Sequence, residues 1–152
     1  MTEEKTEYIK GIVVPGYGVA SGISKNKKFP DSTIKMQAPF FKKLGLDLSN
    51  YFYGTINLDI APKKWTSIKP WKNFPQVKWY ENYPAEDFSF YRCFIKLSTK
   101  KISALIYYPS PETKISEFHK PNIIEVIAPK IENLTTGLEL GLEIFSSEIE
   151  IS

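Results

Sequence analysis

Three short stretches of this chain carry side chains that could act on a ligand. In "GTINLDI", residues 54–60, a period of two sets Thr55, Asn57 and Asp59 on one face of a strand and Ile56, Leu58 and Ile60 on the other. Asparagine is a poor strand residue, because its amide competes with the ladder for hydrogen bonds. A hydroxyl, an amide carbonyl and a carboxylate in a row suit a hard cation such as Mg²⁺, which prefers oxygen ligands and is often held by few protein groups plus the phosphates of a substrate. An ordinary exposed polar face would explain Thr55 and Asp59 but explains Asn57 poorly.

The second stretch is "GIVVPGYGVASG", residues 11–22. Gly16 and Gly18 directly after a β-branched run let the backbone approach a ligand closely and turn its N–H groups toward an anion. A ligand-free glycine turn has the same composition, and neither a dinucleotide-binding fingerprint nor a P-loop is spelled out. The third stretch is "NIIEVIAP", residues 122–129, where Glu125 shares a strand face with Ile123 and Ile127. Desolvation by aliphatic neighbours raises a carboxylate's proton affinity and suits it to hold or deprotonate a hydroxyl group, although an edge-strand glutamate looks the same by spacing alone. The single histidine, His119, and the single cysteine, Cys93, exclude histidine-based and cysteine-rich metal clusters. Cys93, inside the apolar "FYRCFIKL", reads as core.

Around these stretches the sequence is mostly short strands. "YIKGIVV", "GTINLDI", "QVKWYENY", "FSFYRCFIKL", "KISALIYY" and "NIIEVIAP" each end in turn residues, and the tail "LELGLEIFSSEIEI" alternates aliphatic residues with glutamate as one last half-buried strand should. One helix is expected at "APFFKKLGLDL", with Pro39 near its first turn and Gly45 as its stop, and a second helical turn at "APKIENL". The pattern is all-β: a closed or nearly closed β-barrel with one or two short helices, a single domain over residues 1–152 with residues 1–7 as a flexible tail. The tryptophans at 65, 71 and 79 lie in a proline-rich excursion expected to cover the barrel.

Composition narrows the function. A hydrophobic content of 42% and a net charge of +3 are ordinary for a soluble domain, and no apolar run reaches the ~20 residues of a membrane helix. The acidic, polar N-terminus lacks a secretory pattern, so the expected compartment is the cytoplasm. Lysines crowd residues 25–78, while from Glu132 onward every charge is negative. Of twenty basic residues only Arg92 is an arginine, which leaves bidentate phosphate recognition nearly absent and ranks nucleic acid last among partners.

Taken in order, "GIVVPGYGVA", "FFKKLG", "GTINLDI" and "IEVIAP" resemble the motifs of the archaeal-type riboflavin kinases, which use CTP as phosphate donor and are built on a cradle-loop β-barrel. The resemblance spans nearly the whole chain. It implies a Mg²⁺-dependent phosphotransferase that converts riboflavin to FMN, with riboflavin and a nucleotide as small-molecule partners. It implies Thr55 and Asn57 as magnesium ligands, Glu125 as the flavin-side residue of the reaction, and Thr113 as a further flavin contact. Around the cytidine nucleotide it implies Gly16, Tyr17, Gly18, Val19 and Ala20, then Lys130, Ile131, Glu132 and Asn133. The chain departs from the family at Ala20, at Ser21 and Gly22, and at Asn133, where the family has glycine, a basic–aromatic pair and arginine. These departures favour the alternative, a non-catalytic flavin- or nucleotide-binding protein on the same barrel; retention of Thr55 and Asn57 opposes it. Asp59 is assigned nothing by the resemblance.

Overall fold

The computed structural model describes residues 4–15, 33–82, 84–110 and 120–152. Among them nine strands and one helix follow in the order β1 (Thr6–Val14), α1 (Thr33–Lys43), β2 (Ile56–Asp59), β3 (Trp65–Ser67), β4 (Lys72–Val77), β5 (Glu86–Leu97), β6 (Lys100–Pro109), β7 (Ile123–Ile127), β8 (Glu139–Phe145) and β9 (Ile149–Ile151). The protein is mainly β, and its large sheet is antiparallel throughout.

Strand β5 makes the sheet a ring. It is 12 residues long, roughly 40 Å of extended chain, enough to serve three neighbours. Along its length it pairs with β6; its first part also holds β4, and residues 93–96 hold β8. Since β8 pairs with β1, β1 with β2, β2 with β7 and β7 with β6, the pairings return to β5 and the sheet closes nearly into a barrel.

Closure gives every strand an inner and an outer face. Leu58, Tyr91, Cys93, Ile95, Ile106, Ile124, Val126, Leu142 and Ile144 are almost fully buried in the inner core. The opposite parity of β5, β6 and β7 carries Phe88, Phe90, Leu105, Tyr107 and Ile127 outward into a second core, which α1 covers with Ile34 and Phe41. Phe41 sits edge-on to Phe88 and Phe90, each with ring centroids 5.1 Å away.

The helix runs further toward the N-terminus than its proline suggests. Pro39 lies inside α1 rather than in its first turn. Proline costs about 3 kcal/mol in a helix interior, and burial of Ile34, Gln37, Ala38 and Phe41, at helical spacing on one face, offsets it. The stop is as expected: Gly45 adopts φ 105°, with its N–H donating to the Lys42 carbonyl and the Leu46 N–H to the Phe41 carbonyl. The segment expected as a second helical turn instead makes a turn at residues 132–133, with Asn133 at φ 61°.

Three other expectations are corrected. Residues 4–7 are tied down: Thr6 and Glu7 pair with Phe145 and Ile144, and Glu4 meets Arg92. The stretch from Gln76 does not continue as a strand beyond Val77: the ladder with β5 shifts register between Phe74 and Val77 and ends at the Val77–Glu86 pair, and Trp79 is buried in the second core. The tail is two strands, β8 and β9, and β9 pairs with β3 of the tryptophan-bearing excursion. That excursion does cover the ring, since Trp65 and Trp79 are buried, whereas Trp71 is exposed. No helix among the described residues is long and apolar enough to cross a membrane.

The break between β8 and β9 is organised by Glu148, whose side chain is 6% exposed. Its carboxylate accepts from the backbone N–H of Arg92 at 2.9 Å and from Arg92 Nε at 2.7 Å, while its carbonyl accepts from Ile68 N–H and Lys69 N–H. Arg92 also lies over the Phe145 ring at 4.3 Å. Glu148 therefore holds β5, the β3 excursion and β9 together. Replacing it with alanine is expected to cost about 2 kcal/mol in urea unfolding, the range of hydrogen bonds to a charged group. Glu4→Ala, at the exposed end of the same arginine, should change stability far less, and equal losses would show that burial is not what makes Glu148 matter.

Candidate functional site

Two of the three stretches, and the end of β1 that leads into the third, meet at one edge of the outer face; residues 16–22 lie outside the described residues. Strand β2 is antiparallel to both its neighbours, so β1 ends, β2 begins and β7 ends at the same side of the sheet. Asn57 stands opposite Val14 on one side and opposite Glu125 on the other. Leu58 is inward and fully buried, so Asn57 and Glu125 are outward on adjacent strands. Side chains directly opposite across an antiparallel pair have Cβ atoms about 4.5–5.5 Å apart. Two residues 68 positions apart in sequence therefore share one surface.

Thr55 joins them from just before β2. Its hydroxyl Oγ1 donates to Asn57 Oδ1 at 3.1 Å, and Asn57 is only 9% exposed. This bond, rather than the strand ladder, engages the amide carbonyl that made Asn57 an odd strand residue.

The row continues into the second core. The β6–β7 register pairs Leu105 with Ile127 and Ile106 with Val126, which brings Tyr107 level with Glu125. Tyr107 donates to Gln37 Oε1 of α1 at 2.7 Å. Burial, first, and then the negative charges of Glu125 and Glu86 push the Tyr107 hydroxyl well above the usual phenol range. It stays a neutral donor at any physiological pH. Glu86, 3% exposed, accepts from Trp79 Nε1 at 2.7 Å. Glu125 thus lies at a seam, with the helix-covered core on one side and the Thr55–Asn57 pair on the other.

The expected nucleotide-side residues divide into two groups. Lys130, Ile131, Glu132 and Asn133 follow β7 at the same edge as Thr55, and the Ala128 carbonyl just before them accepts from Phe52 N–H at 2.9 Å. Ile131 is half-buried against the inner core. Gly16, Tyr17, Gly18, Val19, Ala20 and Thr113 lie outside the described residues. Cys93 is core, as expected, and burial raises its thiol far above the reactive range.

A pocket of about 270 Å³ opens beside Asn57, between the end of β1 and the start of β7. Val14, Pro15 and Ile123 form its apolar walls, and Asn57, Asp59, Lys120 and Asn122 its polar ones. Asp59 has a structural task there: its Oδ1 accepts from Asn122 Nδ2 at 2.8 Å and from Ala61 N–H at 2.9 Å. Chiefly the Asn122 bond, then the Ala61 bond, hold Asp59 below the usual carboxylate range, so it is ionised at neutral pH.

Several of these residues escaped sequence reasoning. Gln37 had a signal: it falls three residues after Ile34 and four before Phe41, at buried helical spacing. Tyr107 had only its parity on β6. Lys120 and Asn122 had none, because what sets them beside Asp59 is the β2–β7 register. No protein-family model and no curated protein matches this chain.

Tyr107→Phe should keep the ring in the second core and remove one buried hydrogen bond to Gln37. The expected cost is about 1–2 kcal/mol of unfolding free energy, measurable by urea denaturation. A loss within error would mean that the helix does not rely on this bond.

Proposed function

We propose that the chain transfers the terminal phosphate of a nucleoside triphosphate, CTP by its motif resemblance, to the primary hydroxyl of riboflavin, giving FMN. The observation that carries this reading is the convergence of Thr55, Asn57 and Glu125 on one outer face, with Thr55 and Asn57 in hydrogen-bond contact and Asn57 in direct register with Glu125. The same residues are those the resemblance assigns to metal and flavin, and the register brings Asn57 and Glu125 together from 68 positions apart.

The donor set fits magnesium. Octahedral Mg²⁺ with oxygens at about 2.0–2.1 Å spaces neighbouring ligand oxygens roughly 2.9 Å apart, and Thr55 Oγ1 and Asn57 Oδ1 are 3.1 Å apart. Both oxygens are neutral, which suits a cation whose charge is balanced by the phosphates of the nucleotide; among the described residues there is no cluster of three acidic or imidazole ligands that would bind the metal alone. Bound there, Mg²⁺ would neutralise charge on the phosphates.

The protein's own groups supply positioning. Thr55 and Asn57 fix the donor's phosphates at the edge where β1 and β7 end, and Glu125, one strand over, faces the acceptor hydroxyl, orienting it and accepting its proton. Phosphoryl transfer demands little covalent chemistry from a protein, so neutral oxygens and one carboxylate suffice. Tyr107 and Ile127, packed under α1, hold the strand that carries Glu125.

With Mg²⁺, CTP and riboflavin the protein should form FMN, detectable by chromatography. Asn57→Ala should lower the rate at least 100-fold, and Glu125→Gln by the 10²–10⁴-fold typical of a lost general base, while thermal unfolding stays within a few degrees of the parent. Absence of FMN with each of the four common nucleoside triphosphates, in a protein that binds riboflavin, would replace the kinase reading with that of a flavin-binding protein.

A further inference from the structure

The two carboxylate oxygens of Asp59 do different things. Oδ1 is engaged twice, by Asn122 and by the Ala61 backbone, and this fixes the plane of the group. Oδ2 makes no further hydrogen bond among the described residues, although Asp59 lines the pocket beside Asn57. A carboxylate anchored through one oxygen, with the other facing no donor among the described residues, is pre-organised for a ligand's donor. It would be wasted on an apolar one.

The charges around the pocket decide what kind of donor. Lys120 lines the same pocket as Asp59. A phosphate alone would meet the Asp59 carboxylate and a divalent cation alone the Lys120 ammonium, each gaining one contact and suffering one repulsion; the metal-bridged phosphates proposed above belong instead at Thr55 and Asn57, toward the start of β2. Neutral hydroxyl groups escape this conflict, since one can donate to Asp59 Oδ2 while its neighbour accepts from Lys120 Nζ or from the Asn57 amide. Val14, Pro15 and Ile123 offer the C–H side of such a ligand an apolar wall. At about 270 Å³ the pocket lies just below the roughly 300–1,000 Å³ of clefts that bury drug-sized molecules, room enough for a chain or ring bearing hydroxyls.

We propose that this pocket is a subsite for a hydroxylated carbon chain or ring, with Asp59 accepting from one ligand hydroxyl and Lys120 donating to the next. Under the kinase reading, on which the choice of source rests, the hydroxyls belong either to the ribityl chain of the flavin or to the ribose of the nucleotide. The demand for hydroxyls itself comes from Asp59, Lys120 and the pocket.

The test uses the full chain and four ligands in two pairs: riboflavin against lumiflavin, which lacks the ribityl chain, and CTP against 2′,3′-dideoxy-CTP. Dissociation constants are measured by calorimetry or flavin fluorescence for the parent, for Asp59→Asn, which keeps the Oδ1 acceptor and its two anchors, and for Lys120→Gln. Asp59→Asn should weaken the hydroxylated member of one pair about tenfold, as expected for one charge-assisted hydrogen bond, and leave its stripped analogue unchanged; Lys120→Gln should act in the same direction. The pair that responds identifies the source. In parallel, ribitol and D-ribose are titrated while the side-chain amide NMR signals of Asn57 and Asn122 are followed. Shifts with ribitol or ribose that Asp59→Asn abolishes, in a protein that binds none of the four larger ligands, would sustain the subsite and remove the kinase reading. Unchanged affinities in both variants, with no amide shifts, would overturn the subsite.

Discussion

The constraint from which the rest of the molecule follows is the double engagement of β5. A strand that pairs with β6 along its length and then also with β8, through Cys93 to Lys96, leaves the large sheet no choice but to curl into a ring. Once the ring is closed, side-chain parity becomes a statement about inside and outside for every strand. Leu58, Ile124 and Ile106 are committed to the inner core, and Asn57, Glu125 and Tyr107 are committed to the outer face by the same stroke. A one-residue slip of β2 against β7 would bury Asn57 among aliphatic side chains, where an amide without partners costs on the order of 1–3 kcal/mol. The register is therefore enforced by the polar residues as much as by the apolar ones.

The outer face is not uniform, and its division explains where a site can form. Over β4, β5 and β6 the phenylalanines at 74, 88 and 90 are roofed by α1, with Phe41 at their centre. From β6 across β7 to β2 the row of residues Tyr107, Glu125 and Asn57 is polar. A polar group at such a seam must find partners or water, and the described residues contain no buried side-chain nitrogen or oxygen left without a hydrogen bond. Gln37 satisfies Tyr107, Trp79 satisfies Glu86 and Thr55 satisfies Asn57. The helix is thus joined to Tyr107, level with Glu125, by a hydrogen bond as well as by packing.

How much of this could be read from residues alone depends on the range of the interaction. The period of two in "GTINLDI" and "NIIEVIAP" is local, and it correctly separates Asn57 from Leu58 and Glu125 from Ile124. That Asn57 and Glu125 are partners is a matter of register between strands whose paired residues lie 68 positions apart, and no short-range pattern encodes it. Local rules were overruled where burial outweighs them. Pro39 reads as a helix start but sits in the middle of α1, because Ile34 and Gln37 gain a buried face by extending the helix backward. The alternating tail reads as one strand but breaks at residues 146–148, because the Glu148 carboxylate turns inward to Arg92. In both cases a long-range contact decided the boundary.

Asp59 shows the same hierarchy within the site. From the sequence it was the third polar residue of a row, with nothing to distinguish it from a solvated carboxylate. In the fold its Oδ1 ties the turn after β2 to Asn122, at the start of β7, and so helps set the register on which the Asn57–Glu125 pairing depends. A carboxylate used in this way cannot swing to follow a ligand, which lowers the entropy cost of engaging its other oxygen. The group that steadies the strands is for that reason also the better placed to recognise something in the pocket beside them. The separation usually drawn between residues that build a site and residues that use it does not hold at this position.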